Sequence, residues 1–330
     1  MKLNTQPHQK TDNSFIFLFG PTAVGKTELL CSLFSRSCEV VNADSIQVYR
    51  HLDIGSAKAG KKEQQIIAHH LIDIRDPWQS WNVNDFISNA DRVCKDIHGR
   101  GKIPVISGGT AFYFKSFLYG LSDAPPADPL VRQHVAELVK DLGKQGAHDY
   151  LEKIDPVSAQ RININDTYRV SRAIEVYMTS GKSLSSFTVP AEIRNKMNVL
   201  AIGLYCDKKI LSQRIRQRVA EMTENGLKEE IEKLLEMGAS SSWQSMQGIG
   251  YREFMKRLEN GKLPENLDMQ EVAEEIAMNS IHYAKRQMTF FRSFENVRWV
   301  DIADKKALVC LLKESFPDLP EDSWPSEDQV

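Results

Sequence analysis

Cysteine is scarce and scattered. The five residues Cys31, Cys38, Cys94, Cys206 and Cys310 are odd in number and form no C-x-x-C pair. That argues against both a zinc framework and a disulfide scaffold, and for a reducing compartment. Long hydrophobic runs are missing as well: no stretch nears 18 apolar residues, and the first thirteen residues lack the apolar segment of a signal peptide. A soluble, cytoplasmic, unexported protein that meets no membrane is expected. Excess charge is also absent, the formal net charge being −2 over 330 residues. Residues 317 to 330 carry five acidic groups and no basic one, so the remainder of the chain has an excess of three positive charges. A local nucleic-acid surface is compatible with that balance, whereas a chain coated in basic residues is not. There is no internal repeat.

One stretch organises what is present. Phe15-Ile16-Phe17-Leu18-Phe19 runs into Gly20-Pro21-Thr22-Ala23-Val24-Gly25-Lys26-Thr27, which fits G-x-x-x-x-G-K-[ST], and helical spacing follows from Glu28 to Phe34. A buried parallel strand, a glycine-rich loop and a helix start form the context in which this pattern binds phosphate. Successive backbone N–H groups make a concave anion site, Lys26 adds a point charge and the Thr27 hydroxyl can hold Mg²⁺.

Further strands are expected at Glu39 to Ser45, ending in Asp44, at His69 to Ile74, at Ile103 to Ile106, at Asn198 to Tyr205 and at Arg298 to Asp301. In parallel α/β sheets ligands bind outside the carboxyl ends of the strands, so Asp44 should face the crevice of the phosphate loop. The turn Ser107-Gly108-Gly109-Thr110 should let backbone approach the same ligand and present the Thr110 hydroxyl to it. The His69-His70 pair lacks a third ligand at convincing spacing and reads as structural. Asn84 to Gly99 reads as a helix with Phe86, Ile87, Ala90, Val93 and Ile97 inward.

The Pro-rich boundary Asp123 to Pro129 changes the character of the chain to helix only, and residues 129–197 read as a helical insertion. The flanking core segments are then 14–128 and 198–305, with residues 1–13 and 306–330 as tails. The expected fold is α/β, a P-loop NTPase-like parallel sheet with a helical insertion domain and a helical C-terminal part. In that last part Ile210, Leu211, Ile215, Val219 and Met222 form one apolar stripe, and Arg214 and Arg218 lie beside it at i, i+4, able to point back at phosphate. A long helix from Met269 ends in Lys285-Arg286-Gln287-Met288-Thr289-Phe290-Phe291-Arg292, where cations interleave with aromatics as an RNA backbone and splayed bases would require. A solvated basic face over a core Phe pair fits the same pattern.

A strand of apolar residues ending in the Mg²⁺-binding Asp of an ordinary P-loop NTPase is not intact here, because Asn42 interrupts Val40-Val41-Asn42-Ala43-Asp44 and Ile103 to Ile106 ends in Ser107. The cradled diphosphate can therefore belong to a substrate that leaves. An NTP-dependent kinase of a small metabolite is the alternative enzyme, and a non-catalytic RNA-binding module the alternative outside enzymes. Asp44 speaks against the latter, since a carboxylate among phosphates repels RNA unless it does chemistry.

From about residue 14 to 302 the chain resembles the tRNA dimethylallyltransferases. The resemblance rests on the phosphate loop, Asp44-Ser45-Ile46-Gln47-Val48-Tyr49, Asp53-Ile54-Gly55-Ser56-Ala57-Lys58, His69-His70-Leu71-Ile72-Asp73 and Gly108-Gly109-Thr110. It continues through Arg169-Val170-Ser171-Arg172-Ala173-Ile174-Glu175, Ile249-Gly250-Tyr251-Arg252 and Ala284-Lys285-Arg286-Gln287. It implies a prenyltransferase, active as a monomer with Mg²⁺, that moves a dimethylallyl group from dimethylallyl diphosphate to N6 of the adenosine 3′ to the anticodon. The resemblance assigns Asp44 as general base and Thr110 to the diphosphate. It assigns Asp44, Ser45, Ile46 and Gln47, Thr110 and Arg132, Tyr168 to Arg172, Gln247, Gly248, Ile249, Gly250, Tyr251 and Arg252, and Lys285 to Arg292 to contact with the anticodon stem-loop. The helical insertion would clasp the stem with Arg169 and Arg172 on phosphates. Departures are Ile164 for a usual Pro, Ala111 for a usual Gly, and Ile281-His282 for a usually basic pair, which lowers local positive charge.

Overall fold

A computed structural model describes residues 13–126, 128–188 and 190–326. The expected tail at 1–13 therefore lies outside the described residues but for Asn13, whose amide donates to the carbonyls of Asn195 and Lys196. The chain divides into two compact units, one of residues 1–118 and 194–330, the other of residues 119–193. The second unit thus starts and ends earlier than the Pro-rich boundary and the returning strand suggest.

The first unit is built on strand β1 (Ser14–Phe19), buried along its whole length. Helix α1 (Lys26–Leu29) continues as a π-helical turn over Leu30–Phe34, and β2 (Cys38–Asn42) follows. Then come α2 (Lys61–Ile66), β3 (His69–His70), α3 (Val83–Gly99), β4 (Ile103–Gly108) and α4 (Ala111–Tyr119). Among the described residues six strands pair parallel in the order β3-β2-β4-β1-β5-β6, with β5 (Asn198–Tyr205) and β6 (Arg298–Asp301) on the far side of β1. Phe17 stands between Ile106 of β4 and Ala201 of β5.

Side chains alternate across β1 as a strand requires. On one face Phe17 meets Phe114 at 5.5 Å and Phe19 stacks on Phe291 at 4.4 Å. On the other, Ile16 and Leu18 join Leu29, Leu33, Phe34, Leu308, Val309, Leu312, Phe316 and Trp324 in one buried cluster. That cluster corrects the expected C-terminal tail. Residues beyond 305 form a helix, Lys305–Ser315, whose apolar stripe closes the sheet, and Trp324 packs edge-on against Phe34. The third strand is shorter than its apolar run suggests, because Leu71 (φ 62°) and Asp73 (φ 55°) turn the chain out of extended geometry. His70 Nε2 donates to the Glu39 carboxylate at 2.7 Å and His69 Nδ1 lies 2.8 Å from the Ile67 carbonyl, so the pair is structural.

The second unit holds α5 (Pro129–Ile154), broken at Gly143, with α6 (Pro156–Arg161) and α7 (Thr167–Ser180). Asp128, Asp155 and Asp166 each accept backbone N–H groups at a helix start. Val135, Leu151, Val170 and Ile174 form its core, while Leu130 and Leu142 are exposed.

After the return to the first unit come α8 (Lys208–Glu224), α9 (Leu227–Glu236), α10 (Arg252–Met255), α11 (Met269–Phe291) and, last, α12, the Lys305–Ser315 helix. Ile215, Val219 and Met222 are inward on α8 as expected, but Ile210 is exposed.

Candidate active site

The loop between β1 and α1 takes its shape from two left-handed positions, Ala23 (φ 62°) and Gly25 (φ 108°). The Lys26 Nζ folds back on the carbonyls of Gly20 and Pro21, both at 3.0 Å. Three side chains from distant helices hold the loop. Arg214 donates to the Val24 carbonyl at 3.0 Å, Arg218 to the Thr22 hydroxyl at 2.7 Å, and the Thr22 N–H to the Gln287 side-chain carbonyl at 2.9 Å. The Arg218 Nε is buried and makes no hydrogen bond among the described residues, an N–H held ready beside the loop. Burial brings the Lys26 ammonium down to a pKa of about 8, the charge of Arg218 adding to the shift and that of Asp44 opposing it. Burial likewise lowers Arg218, again against Asp44.

Asp44 lies two residues past the end of β2. Its Oδ1 accepts the N–H groups of Ile46 at 2.9 Å and Gln47 at 3.3 Å, which fixes the carboxylate at the sheet edge. The Gly108-Gly109 turn is close to it for a steric reason. A Cβ on Gly108 would lie 2.3 Å from the Ala43 carbonyl, and one on Gly109 2.8 Å from Gln287 Nε2 and 3.3 Å from Asp44 Oδ2. The Gly109 carbonyl accepts from Tyr283 Oη at 2.9 Å and Gln287 Nε2 at 2.8 Å. Burial, with the Asp44 charge second, raises the Tyr283 phenol and keeps it a donor.

Two cavities meet at Asp44. The first, about 570 Å³, is lined by Thr22, Ala23, Gly25, Lys26 and Thr27 of the loop, by Gly108 and Gly109, and by Arg214 and Arg218. The second, about 380 Å³, is lined by Ser45, Ile46, Gln247, Gly248, Ile249, Arg252 and Arg286. Thr22, Asp44, Ser56, Arg218 and Tyr283 line both. A further open hollow of about 460 Å³ on α11 is lined by His282, Lys285, Arg286, Thr289 and Phe290.

The expected contact residues divide between the site, the surface and the interior. The Thr110 hydroxyl accepts the Ser45 N–H at 3.0 Å and faces Ser45 Oγ at 3.3 Å, and Thr110 lines neither cavity. Gln287 is buried and spans the phosphate loop and Gly109, so its amide is spent inside the protein. Phe291 stacks on Phe19 in the core, Val170 is in the core of the second unit, and the buried Tyr251 donates to Glu230. Their side chains present nothing to a ligand. Arg172 is committed to the Pro125 carbonyl and Glu175, whereas Arg169 is largely exposed with Asp166 at 3.4 Å, and Arg132 and Tyr168 are exposed too. Lys285 and Arg292 are exposed, Met288 is half-buried, and the Gln47 amide donates to the carbonyls of Ser56 and Ala57.

Sequence reasoning missed Tyr283 as a site residue and missed Glu230 altogether. Tyr283 stands one turn before Gln287 on α11, and that i, i+4 pairing of polar groups on an otherwise apolar face is the signal that could have found it.

The family model described as IPP transferase matches residues 47–294, and one described as isopentenyl transferase matches 14–76. The chain belongs to the IPP transferase family. Among its relatives, a tRNA dimethylallyltransferase of Anoxybacillus flavithermus is 40% identical, covering 88% of this chain and 90% of that one. Another, from Syntrophobacter fumaroxidans, is 37% identical over 94% of this chain and 90% of its own. The solved tRNA isopentenylpyrophosphate transferase of Bacillus halodurans is 37% identical with a TM-score of 0.64, over 90% of this chain and 93% of its own. A eukaryotic dimethylallyltransferase acting on tRNA has a TM-score of 0.72 at 24% identity, over 91% and 79%, a likeness of fold. The α/β architecture with a phosphate-loop core is that of the family, and among the described residues no helix is long and apolar enough to cross a membrane.

Proposed function

We propose that this IPP transferase family member transfers the dimethylallyl group of dimethylallyl diphosphate to N6 of the adenosine 3′ to the tRNA anticodon, releasing diphosphate. The observation that carries the reading is the wall shared by the two cavities. One cavity is made of phosphate-binding backbone, Lys26 and arginines, the other of side chains beside the exposed cations of α11, and Asp44 faces both. The names of the relatives support tRNA as the acceptor.

The donor's diphosphate occupies the loop from Gly20 to Thr27, where the Arg218 Nε and Lys26 meet its oxygens. Mg²⁺ binds through one or two protein oxygens together with phosphates, and the Thr27 hydroxyl on the wall of this cavity fits that donor set. Bound there, the ion would neutralise phosphate charge.

The adenine amine is a poor nucleophile because its lone pair is delocalised into the ring. To reach the allylic carbon the base must leave its stack and enter the second cavity. As the N–C bond forms and the C–O bond to diphosphate breaks, the amine becomes acidic, and the Asp44 carboxylate takes its proton. Negative charge grows on the departing diphosphate where the loop N–H groups, Lys26 and Arg218 are already fixed. Tyr283 and Gln287, both on the Gly109 carbonyl, hold the turn beside Asp44. A tRNA acceptor supports work in the cytoplasm.

Incubation with dimethylallyl diphosphate labelled in the prenyl group, Mg²⁺ and bulk tRNA tests the proposal. Label should enter tRNA with one diphosphate released per transfer and no need for ATP. Strict ATP dependence, with label left in the donor, would favour a kinase instead.

A further inference from the structure

We infer that Glu230 is a positioning residue that couples the donor cavity to the acceptor cavity, by holding the Asp53–Ser56 loop and Tyr251 on one carboxylate. The inference rests on the proposed transfer reaction for the identity of the two cavities.

Glu230 lies on α9 and is almost fully buried. It accepts four hydrogen bonds. Oε2 takes the N–H groups of Asp53 at 3.0 Å and Ile54 at 2.7 Å, and Oε1 takes the Gly55 N–H at 3.0 Å and the Tyr251 hydroxyl at 2.8 Å. Four donors on two oxygens is the full capacity of a carboxylate.

The two segments so joined are in direct contact, the Tyr251 ring lying on Gly55 and the backbone of Gly250 against the Gly55 carbonyl. A Cβ on Gly55 would lie 2.7 Å from the Tyr251 ring, and one on Gly250 (φ 97°) would lie 2.7 Å from the Gly55 carbonyl oxygen. The consequences run to both cavities. Ser56, next along the loop, is on the wall common to the two, Ala57 lines the donor side only, and Gly248 and Ile249 line the acceptor side only. A second buried carboxylate, Glu253, accepts the Gly250 N–H at 2.8 Å and Asn279 Nδ2 at 2.7 Å, so the acceptor segment is braced from behind as well. With Glu253 in place, the acceptor segment keeps its local shape when Tyr251 loses its partner. What changes is its spacing from the donor loop, and that spacing is the property that Glu230 sets.

The test is a double-mutant cycle on Glu230→Gln and Tyr251→Phe, with the Kd of inorganic diphosphate and the KM for tRNA as separate readouts. Tyr251→Phe removes the link to Glu230, together with the hydroxyl's side-chain contact with Ser56. It should raise the KM for tRNA about tenfold, the factor expected for one hydrogen bond to a charged acceptor, and leave the Kd of diphosphate unchanged. Glu230→Gln loses two or more of the four bonds and should weaken both. The double variant should raise the KM for tRNA by less than the product of the two single effects, because the link can be lost once only. Additive effects on KM, or a lowered thermal midpoint with both constants unchanged, would overturn the coupling and leave Glu230 a fold residue. A wild-type protein that binds diphosphate but transfers nothing to tRNA would overturn the proposed reaction instead, and the diphosphate arm would still report on the loop.

Discussion

Gln287 and Thr22 are 265 positions apart in the chain, yet the Gln287 side-chain carbonyl accepts the Thr22 N–H at 2.9 Å. Through its Nε2 on the Gly109 carbonyl, the same amide ties the phosphate loop to the turn beside Asp44. Helix α11 thereby sets the distance between the anion site and the carboxylate.

Gln287→Ala should therefore loosen the loop without disturbing Asp44 directly. The part-buried Thr22 N–H loses its partner, at a cost below the roughly 1–3 kcal/mol of a fully buried group, while Gly109 keeps Tyr283. Diphosphate affinity should fall by about tenfold for each 1.4 kcal/mol not recovered by water. Calorimetric titration with diphosphate measures this. An unchanged Kd would mean that the loop keeps its shape without the bond.

Asp44→Asn tests the proton acceptor. The substitution retains an acceptor for the Ile46 and Gln47 N–H groups but cannot take a proton at neutral pH. Turnover should fall by about a hundred- to ten-thousand-fold, the range for loss of a general base. Binding of donor and tRNA should be equal or tighter, since a negative charge next to two anions has gone. Single-turnover rates with separate binding measurements check it. A surviving rate with weakened Mg²⁺ affinity would make Asp44 a metal-site residue.

Lys26 gives the anion site a pH dependence of its own. In the free protein its pKa is brought down to about 8, by burial first and then by Arg218. A bound diphosphate adds negative charge and raises that value, so binding just above pH 8 takes up a proton and affinity declines as pH rises further. The free protein should behave in the opposite sense. Between about 8 and 10.5 the unfolded chain still holds the proton that the folded chain has released, so this group's contribution to stability increases with pH. Comparing diphosphate binding by wild type and Lys26→Arg from pH 7 to 9.5 isolates the effect from the ligand's own ionisation. Parallel curves would show that Lys26 does not titrate there.

The two arginines of α7 should part ways. Arg169→Ala removes an exposed cation and should weaken tRNA binding and flatten its salt slope by up to about one unit. Arg172 is bound to the Pro125 carbonyl and Glu175. Arg172→Ala should lower the thermal midpoint and leave the salt slope nearly unchanged. Salt titration of tRNA binding with melting curves distinguishes the two, and equal slope changes would put Arg172 on phosphate after all.

Wherever a feature is local, it was legible. The phosphate loop is a contiguous pattern between an apolar strand and a helix start, and backbone conformation at Gly25 follows from its neighbours. Asp44 could be placed at the crevice because strand direction in a parallel sheet puts every carboxyl end on one edge. The N-caps Asp128, Asp155 and Asp166 are local in the same sense, since each acts within four residues. Arg218 was reachable on spacing alone, as part of a cationic pair off the apolar face of α8.

What the tertiary structure alone decided is which side chains are spent inside the protein. Gln287, Tyr251 and Phe291 lie in stretches that look ready for RNA, but packing turns them inward, where an unpaired amide or hydroxyl would be costly. Glu230 reads as one more acidic residue on a charged helix, and nothing within a turn of it hints at four donors arriving from residues 53–55 and 251. The acidic stretch after residue 316 suggests a solvated tail, yet the hydrophobic face of α12 and the ring of Trp324 close one side of the sheet. Such contacts join segments tens to hundreds of residues apart. Periodicity and spacing report on neighbours along the chain, whereas these partners are chosen by the geometry of the folded sheet.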